Sequence, residues 1–447
     1  MNAKRASPVP EPGASTSSDA YLPAHGNGGY RVSRYELELD YRPGPGRLAG
    51  RATISAVAQQ ALSAFSLDLG ALRIDRVSVD GKPARYTHGA GKLRVKPARA
   101  LPSGAPFTVE VRYVGTPRPI RTPNWGDLGW EQLEDGALVA SQPIGAPSWF
   151  PCNDHVGDRA SYRIAVTAPS PYTVVATGTR ISQKIGGSST TWVYEQPFPM
   201  PTYLASIQIG LYEQIEHLGG PIQQRAAVPA RLLTPFTHDF ARQPQMMATF
   251  CGFFGPYPFE EYTVVVTDDD LEIPVEAHGL STFGANHVDG RRGAERLIAH
   301  ELAHQWFGNS LTVAGWRHIW LNEGFAKYAE WLWSEASGGP SAAALASRFW
   351  TKMAALPQDL RVADPGVRHL FDQRVYHRGA LTLHALRVTL GDDLFFALLR
   401  EWTATYRNRS VTTDEFTALA QRHTSTPLDR FFTAWLHEPK LPPLPRA

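Results

Sequence analysis

The segment ERLIAHELAHQWFGNSL carries two histidines four residues apart, His300 and His304, with Glu301 directly after the first. On an α-helix that spacing puts both imidazoles on one face, where they can converge on a single ion. The flanking residues are good helix formers, and Gly308-Asn309 supplies a stop. A catalytic zinc needs a third protein ligand and one open position for water. Glu323, nineteen residues past His304 in WLNEGFAKYAEWLW, is the candidate. Leu321, Phe325, Tyr328, Ala329 and Leu332 recur around it at helical spacing, so it opens a helix that can pack across the first. A solvated helix face bearing two histidines would leave that Glu unexplained. His300, His304 and Glu323 therefore predict one Zn2+ per chain. Glu301 leaves the helix at a different angle and does not reach the same ion easily. A carboxylate beside an activated water is the expected general base, and it can return the proton to a leaving amine.

The elements that must hold these groups follow from texture and composition. Period-two runs dominate from about Tyr30 to Glu216, including RYELELDYR, RATISAVA, FTVEVRYV, SYRIAVTAP and YTVVATGTR. Turn signals at Asp80-Gly81, Gly104 and Pro169-Ser170-Pro171 separate them, which reads as an antiparallel sandwich or saddle. The texture changes at Gly219-Gly220-Pro221. Helical patterns then cover 293–307, 322–336, 341–354, 376–390, 393–406, 413–422 and 427–437. The expected domains are a disordered leader over 1–28, a β domain over 29–220, a mostly α catalytic domain over 221–440, and a Pro-rich tail over 441–447.

Composition excludes several classes. The formal charge is +2, too balanced for a nucleic-acid or anionic-membrane partner. Two cysteines, Cys152 and Cys251, rule out a disulfide scaffold or a Cys-based zinc ribbon, and both read as buried small apolar residues. No stretch approaches ~18 consecutive apolar residues, and the N-terminus lacks an apolar signal core, so a cytoplasmic chain is expected. Gly89-Ala90-Gly91-Lys92 lacks the upstream Gly of a phosphate loop, and Asp268-Asp269-Asp270 lacks EF-hand spacing.

At HELAHQWFGNSLT and WLNEGFAKYAE the chain resembles the gluzincin aminopeptidases of the aminopeptidase N and leukotriene hydrolase family, with the eighteen-residue gap that family uses. WFPCNDHVGDRASYRIAV resembles the family's FPC-x-D stretch, and MPTYLASIQIG its domain-junction segment, so the likeness spans about residues 30–437. It implies a thermolysin-like catalytic fold and hydrolysis of peptides carrying a free N-terminus, by a monomer. It also implies further roles. Tyr376, in VYHRGALTLHALR, corresponds to the family's oxyanion-stabilising Tyr, with Arg378 where the family has Lys. Glu276, in EIPVEAHGLSTFG, corresponds to the amine-binding Glu of the G-x-M-E-N motif, although Pro274, Val275 and Ala277 depart from it. Gln142, in VASQPIGAPSW, corresponds to the Gln lining the first-residue pocket, without the family's neighbouring Glu. Longer members carry a C-terminal helical domain for which this chain has no room, so a more open site is expected. The alternatives keep the zinc: an endo-type peptidase, a hydrolase of a non-peptide electrophile such as an epoxide, or a peptide-binding protein with a structural ion.

Overall fold

Alternation drives the first half of the chain into sheets. Along the strand Tyr30–Arg42, Tyr30 and Val32, then Tyr35, Leu37, Leu39 and Tyr41, are buried. The parity changes because a bulge lies between Val32 and Arg34, which returns Tyr35 to the buried side. The computed structural model describes residues 9–220 and 222–445. The chain divides into two units, one up to Ile209 and one from Gly210.

In the first unit an eight-stranded sheet runs Thr179–Ile185, Ser189–Met200, Ala160–Pro169, Tyr30–Arg42, Arg47–Ala58, Pro106–Gly115, Arg73–Val79, Lys82–Pro83. Only the Tyr30–Arg42 and Ala160–Pro169 pair is parallel. A four-stranded and a five-stranded sheet pack against it through aromatic side chains. Tyr30 meets Phe65 at 5.7 Å and Tyr41 meets Trp130 at 4.8 Å between ring centroids.

The expected leader is corrected in part. Residues 1–8 lie outside the described residues, but from residue 9 onward the segment is ordered. Glu11–Pro12 pairs with Leu62–Asp68. Asn27, buried, donates to Asp68 at 2.7 Å, and its backbone N–H donates to Asn153 at 2.7 Å. Asp68 also binds Lys92 at 2.6 Å and exchanges two backbone hydrogen bonds with Cys152. A segment poor in apolar residues is thus held by polar bonds to a buried node. Composition does not reveal such a node, because its partners lie far away in sequence.

The second unit begins earlier than the change of texture suggests. Glu213–Ile215 and Gln223–Val228 belong to its five-stranded sheet, followed in order by Glu261–Val266, Leu280–Phe283 and the edge strand Val275–Ala277. The three middle strands are parallel, and both edges are antiparallel. The helices are α1 (Leu233–Asp239), α2 (Gln243–Phe254), α3 (Glu295–Ala303), α4 (Trp320–Ala336), α5 (Ala342–Ala354), α6 (Gln373–Leu390), α7 (Asp392–Thr405), α8 (Thr413–Arg422) and α9 (Asp429–Phe432). No helix among the described residues is long and apolar enough to cross a membrane. Cys152 is buried as expected, whereas Cys251 on α2 is half-buried.

Helix α4 is the central element: every residue from Trp320 to Trp333 is buried. It crosses α6 at two glycines. A Cβ on Gly324 would lie 2.8 Å from the Gly379 Cα, and the converse is also true. This backbone contact brings Glu323, beside Gly324, toward the first turn of α6, where Tyr376 lies. Two residues beyond Tyr376, Arg378 is buried and donates to the carbonyls of Trp435 at 3.0 Å, Ala434 at 2.9 Å and Leu360 at 3.4 Å. It reaches the carbonyls of Glu438 and Pro439 as well. Helix α9 runs into a π-turn at Thr433–His437, and the Arg378 fork satisfies carbonyls that this chain end would otherwise leave orphaned.

The crossing generates a stability prediction. In Gly379→Ala the gain in helix propensity is about 1 kcal/mol. Overpacking against backbone, which cannot rotate aside, costs ~1–3 kcal/mol. The second effect wins, so thermal melting falls below that of the unsubstituted protein. A higher melting temperature would refute the contact.

Candidate metal centre

Two helices supply the three ligands. His300 lies in the last turn of α3, and His304 is its C-cap residue. The helix ends there rather than at 307, because the chain turns tightly through Gly308, whose φ is +121°. Four-residue spacing still brings the two rings together edge to face, with centroids 4.8 Å apart. Glu323 projects from the first turn of α4. Its Oε2 lies 3.7 Å from His300 Nε2 and 3.5 Å from His304 Nε2. Two ligands ~2.0–2.1 Å from one ion at tetrahedral angles would be roughly 3.3–3.4 Å apart, so the spacing fits.

Hydrogen bonds on the far side of each ring settle which nitrogen faces the ion. His300 Nδ1 is 2.8 Å from Glu330 Oε1. Burial alone would raise the Glu330 carboxyl, but the bond from His300 and the charge of Lys327 bring it down to about 2. It is therefore a carboxylate that can only accept, and His300 Nδ1–H donates. His304 Nδ1 lies 3.0 Å from the Phe307 carbonyl, again acceptor-only, so it donates too. Both Nε2 lone pairs are left free toward Glu323. Two imidazole nitrogens and a carboxylate oxygen with an open position are a donor set that zinc takes. Burial would lower both imidazoles, yet neighbouring carboxylates raise His300 to about 9 and His304 to about 10. The pocket demands positive charge, and a divalent cation supplies it.

A second grouping overlaps the first. Ligand-capable atoms of Glu276, Glu301 and His304 all lie within 4.8 Å of one another. Glu301 is 4% exposed, and its Oε2 has no hydrogen-bond partner among the described residues. Burial pushes its carboxyl up to about 7, and Glu276 adds to the rise. Glu276 is half-buried on the edge strand Val275–Ala277. Tyr376 lies near the start of α6, its ring 6.2 Å from that of His300. Burial, with the charges of Glu323, Glu276 and Glu301, holds its phenol well above the usual range, so it stays a donor.

The structure thus brings together His300, His304, Glu323, Glu301, Glu276 and Tyr376, all from the second unit. Gln142 belongs to the first unit, where it is half-buried with Nε2 lacking a partner among the described residues. Sequence reading passed over Glu330 and Lys327, an ion pair of 2.8 Å buried under His300. Their signal was present: Glu323, Lys327 and Glu330 stand at i, i+4 and i+7, a charged stripe on an otherwise apolar helix. It also passed over Gln305 and took Asn309 only as part of a helix stop; both are fully buried.

Comparison with known proteins agrees with this geometry. The Peptidase M1 N-terminal domain profile matches residues 32–204, and the Peptidase family M1 domain profile matches 241–435. An M1 zinc metallopeptidase from Deinococcus radiodurans superposes with a TM-score of 0.87 and 31% identity, over 96% of this chain and 99% of that one. A mutant of it has been solved bound to a Tyr-Ser-Ala substrate. Aminopeptidase M1-D of rice is 25% identical over 68% of this chain. The chain spans 37% of that protein's length. Leukotriene A-4 hydrolase of Xenopus laevis is 24% identical over 86% of this chain and 68% of its own.

Removing the acceptor under His300 tests the centre. Glu330→Gln is expected to weaken zinc binding ~10–100-fold, read by competition with a chelator. Unchanged affinity would mean that Glu330 does not orient the ring.

Proposed function

We propose that this chain, which belongs to peptidase family M1, is a zinc-dependent aminopeptidase that removes N-terminal residues from peptides. The observation that carries this reading is the second carboxylate, Glu276, placed beside Glu301 and His304. His300, His304 and Glu323 would hold the zinc, which when bound would supply Lewis-acid polarisation of a carbonyl and a water of pKa near 7.

The chain's own groups do the rest. Glu301 accepts a proton from the attacking water through its unpartnered Oε2 and delivers it to the leaving amine. A carboxyl raised toward neutrality suits both transfers. Tyr376 donates its phenolic proton in a hydrogen bond to the carbonyl oxygen as charge develops there. Glu276 receives the α-ammonium group of the substrate, which sets the cut one residue in and disfavours peptides without a free N-terminus. The peptide-bound Deinococcus relative supports a peptide substrate.

Glu301→Gln is expected to lower kcat by at least ~100-fold while zinc content stays at one per chain. Tyr376→Phe is expected to lower kcat ~100–1,000-fold. Comparison of a free-amine dipeptide amide with its N-acetyl form tests the exopeptidase reading. Strong preference for the free amine is expected, and equal turnover would instead favour endo-type cleavage. Complete absence of hydrolysis by the zinc-loaded protein would favour the non-catalytic, peptide-binding alternative.

A further inference from the structure

Glu276 sits on an edge strand, and the sheet alone does not fix its distance from the metal helix. Val275–Ala277 pairs on one side only, with Leu280–Phe283. At its hairpin end, two buried amides from the turn after α3 bond to its backbone. Gln305 Nε2 donates to the Ala277 carbonyl at 3.2 Å, and Gln305 Oε1 accepts from the Gly279 N–H at 2.9 Å. Asn309 Nδ2 donates to the same Ala277 carbonyl at 2.8 Å. The Gly279 N–H reaches Gln305 from a turn with φ of +73°, a conformation glycine adopts without strain.

Both amides are tied to the metal side of the site. Gln305 directly follows the ligand His304, and its Nε2 also approaches the Glu301 carbonyl at 3.4 Å. The Asn309 N–H donates to the His304 carbonyl at 3.0 Å. Ala277, the point of attachment, directly follows Glu276. Each side chain therefore spans from a residue next to the hydrolytic groups to the residue next to Glu276. Gln305 is fully buried and uses both its donor and its acceptor, which neither Glu nor Leu of similar size reproduces.

We propose that Gln305 and Asn309 are positioning residues that set the separation between the amine-binding Glu276 and the hydrolytic pair Glu301 and zinc, and so restrict cleavage to the first peptide bond. This rests on the aminopeptidase reading. Neither side chain touches the reacting atoms. Loss of the clamp loosens amine capture more than it slows hydrolysis.

The test uses the zinc-loaded full chain with leucine p-nitroanilide as substrate and L-leucinamide as competitive inhibitor. Gln305→Met keeps the volume and removes both hydrogen bonds, and Asn309→Ala removes the second strut. In each, KM and the leucinamide inhibition constant are expected to rise at least tenfold. kcat is expected to fall less than threefold, with zinc at one per chain. Gln305→Glu keeps the acceptor for Gly279 and is expected to recover part of the lost affinity. If Gln305→Met does not fold, Asn309→Ala carries the same readout. Unchanged KM and inhibition constants, or equal losses in kcat and affinity, would overturn the clamp. Wild type that does not hydrolyse the substrate would overturn the aminopeptidase reading instead, so the two failures are distinguishable.

Discussion

The constraint on which the site depends is a concentration of buried negative charge. Glu323, Glu330 and Glu301 are each under 7% exposed, with Glu276 close by, and all surround two imidazoles. Desolvating several carboxylates together is costly unless positive charge meets them. Lys327 meets Glu330 from within the same helix, and Arg296 approaches it at 3.5 Å from the rim. The remaining demand falls on the ion. The carboxylates raise His300 and His304 against burial, so they favour positive charge at the rings. Zinc takes imidazole in its neutral form, which couples metal occupancy to pH.

The surrounding structure keeps this cluster rigid. Helix α4 is buried along almost all of its length, so its ligand and its Glu330 acceptor are carried by an element with little freedom. The glycine crossing with α6 brings Tyr376 toward the same point without an intervening side chain. Arg378 then binds the end of the chain to α6, two residues from Tyr376. A Lys, with three donors on one atom, would not satisfy as many carbonyls as this planar fork. The Arg378 fork thus has a structural use in this chain.

Legibility in the sequence followed the range of each interaction. The His300–His304 pair was plain because helical spacing is a local rule, and Glu323 because its own helix was marked by apolar periodicity. Glu330 and Lys327 carried a local signal too, but its meaning depended on which helix they would face. Gln305 and Asn309 gave no sign of their bonds to the strand beside Glu276, since an amide announces no partner. The end of α3 at His304 was set by the turn at Gly308, a backbone conformation rather than a propensity. Residues 9–28 looked featureless because their order comes from Asp68 and Asn153, far along the chain.

By itself, the sequence determined the donor set: two histidines and a glutamate for one metal, a carboxylate between the histidines, and a β-rich half before a helical half. Periodicity and short spacings encode these, because a helix or strand imposes its repeat wherever it forms. Tertiary structure alone decided which ring nitrogens face the metal, how Glu276 is held against Glu301, and where the first unit gives way to the second. Each of these depends on a hydrogen bond or contact between elements, and no local rule reports which distant group will be the partner.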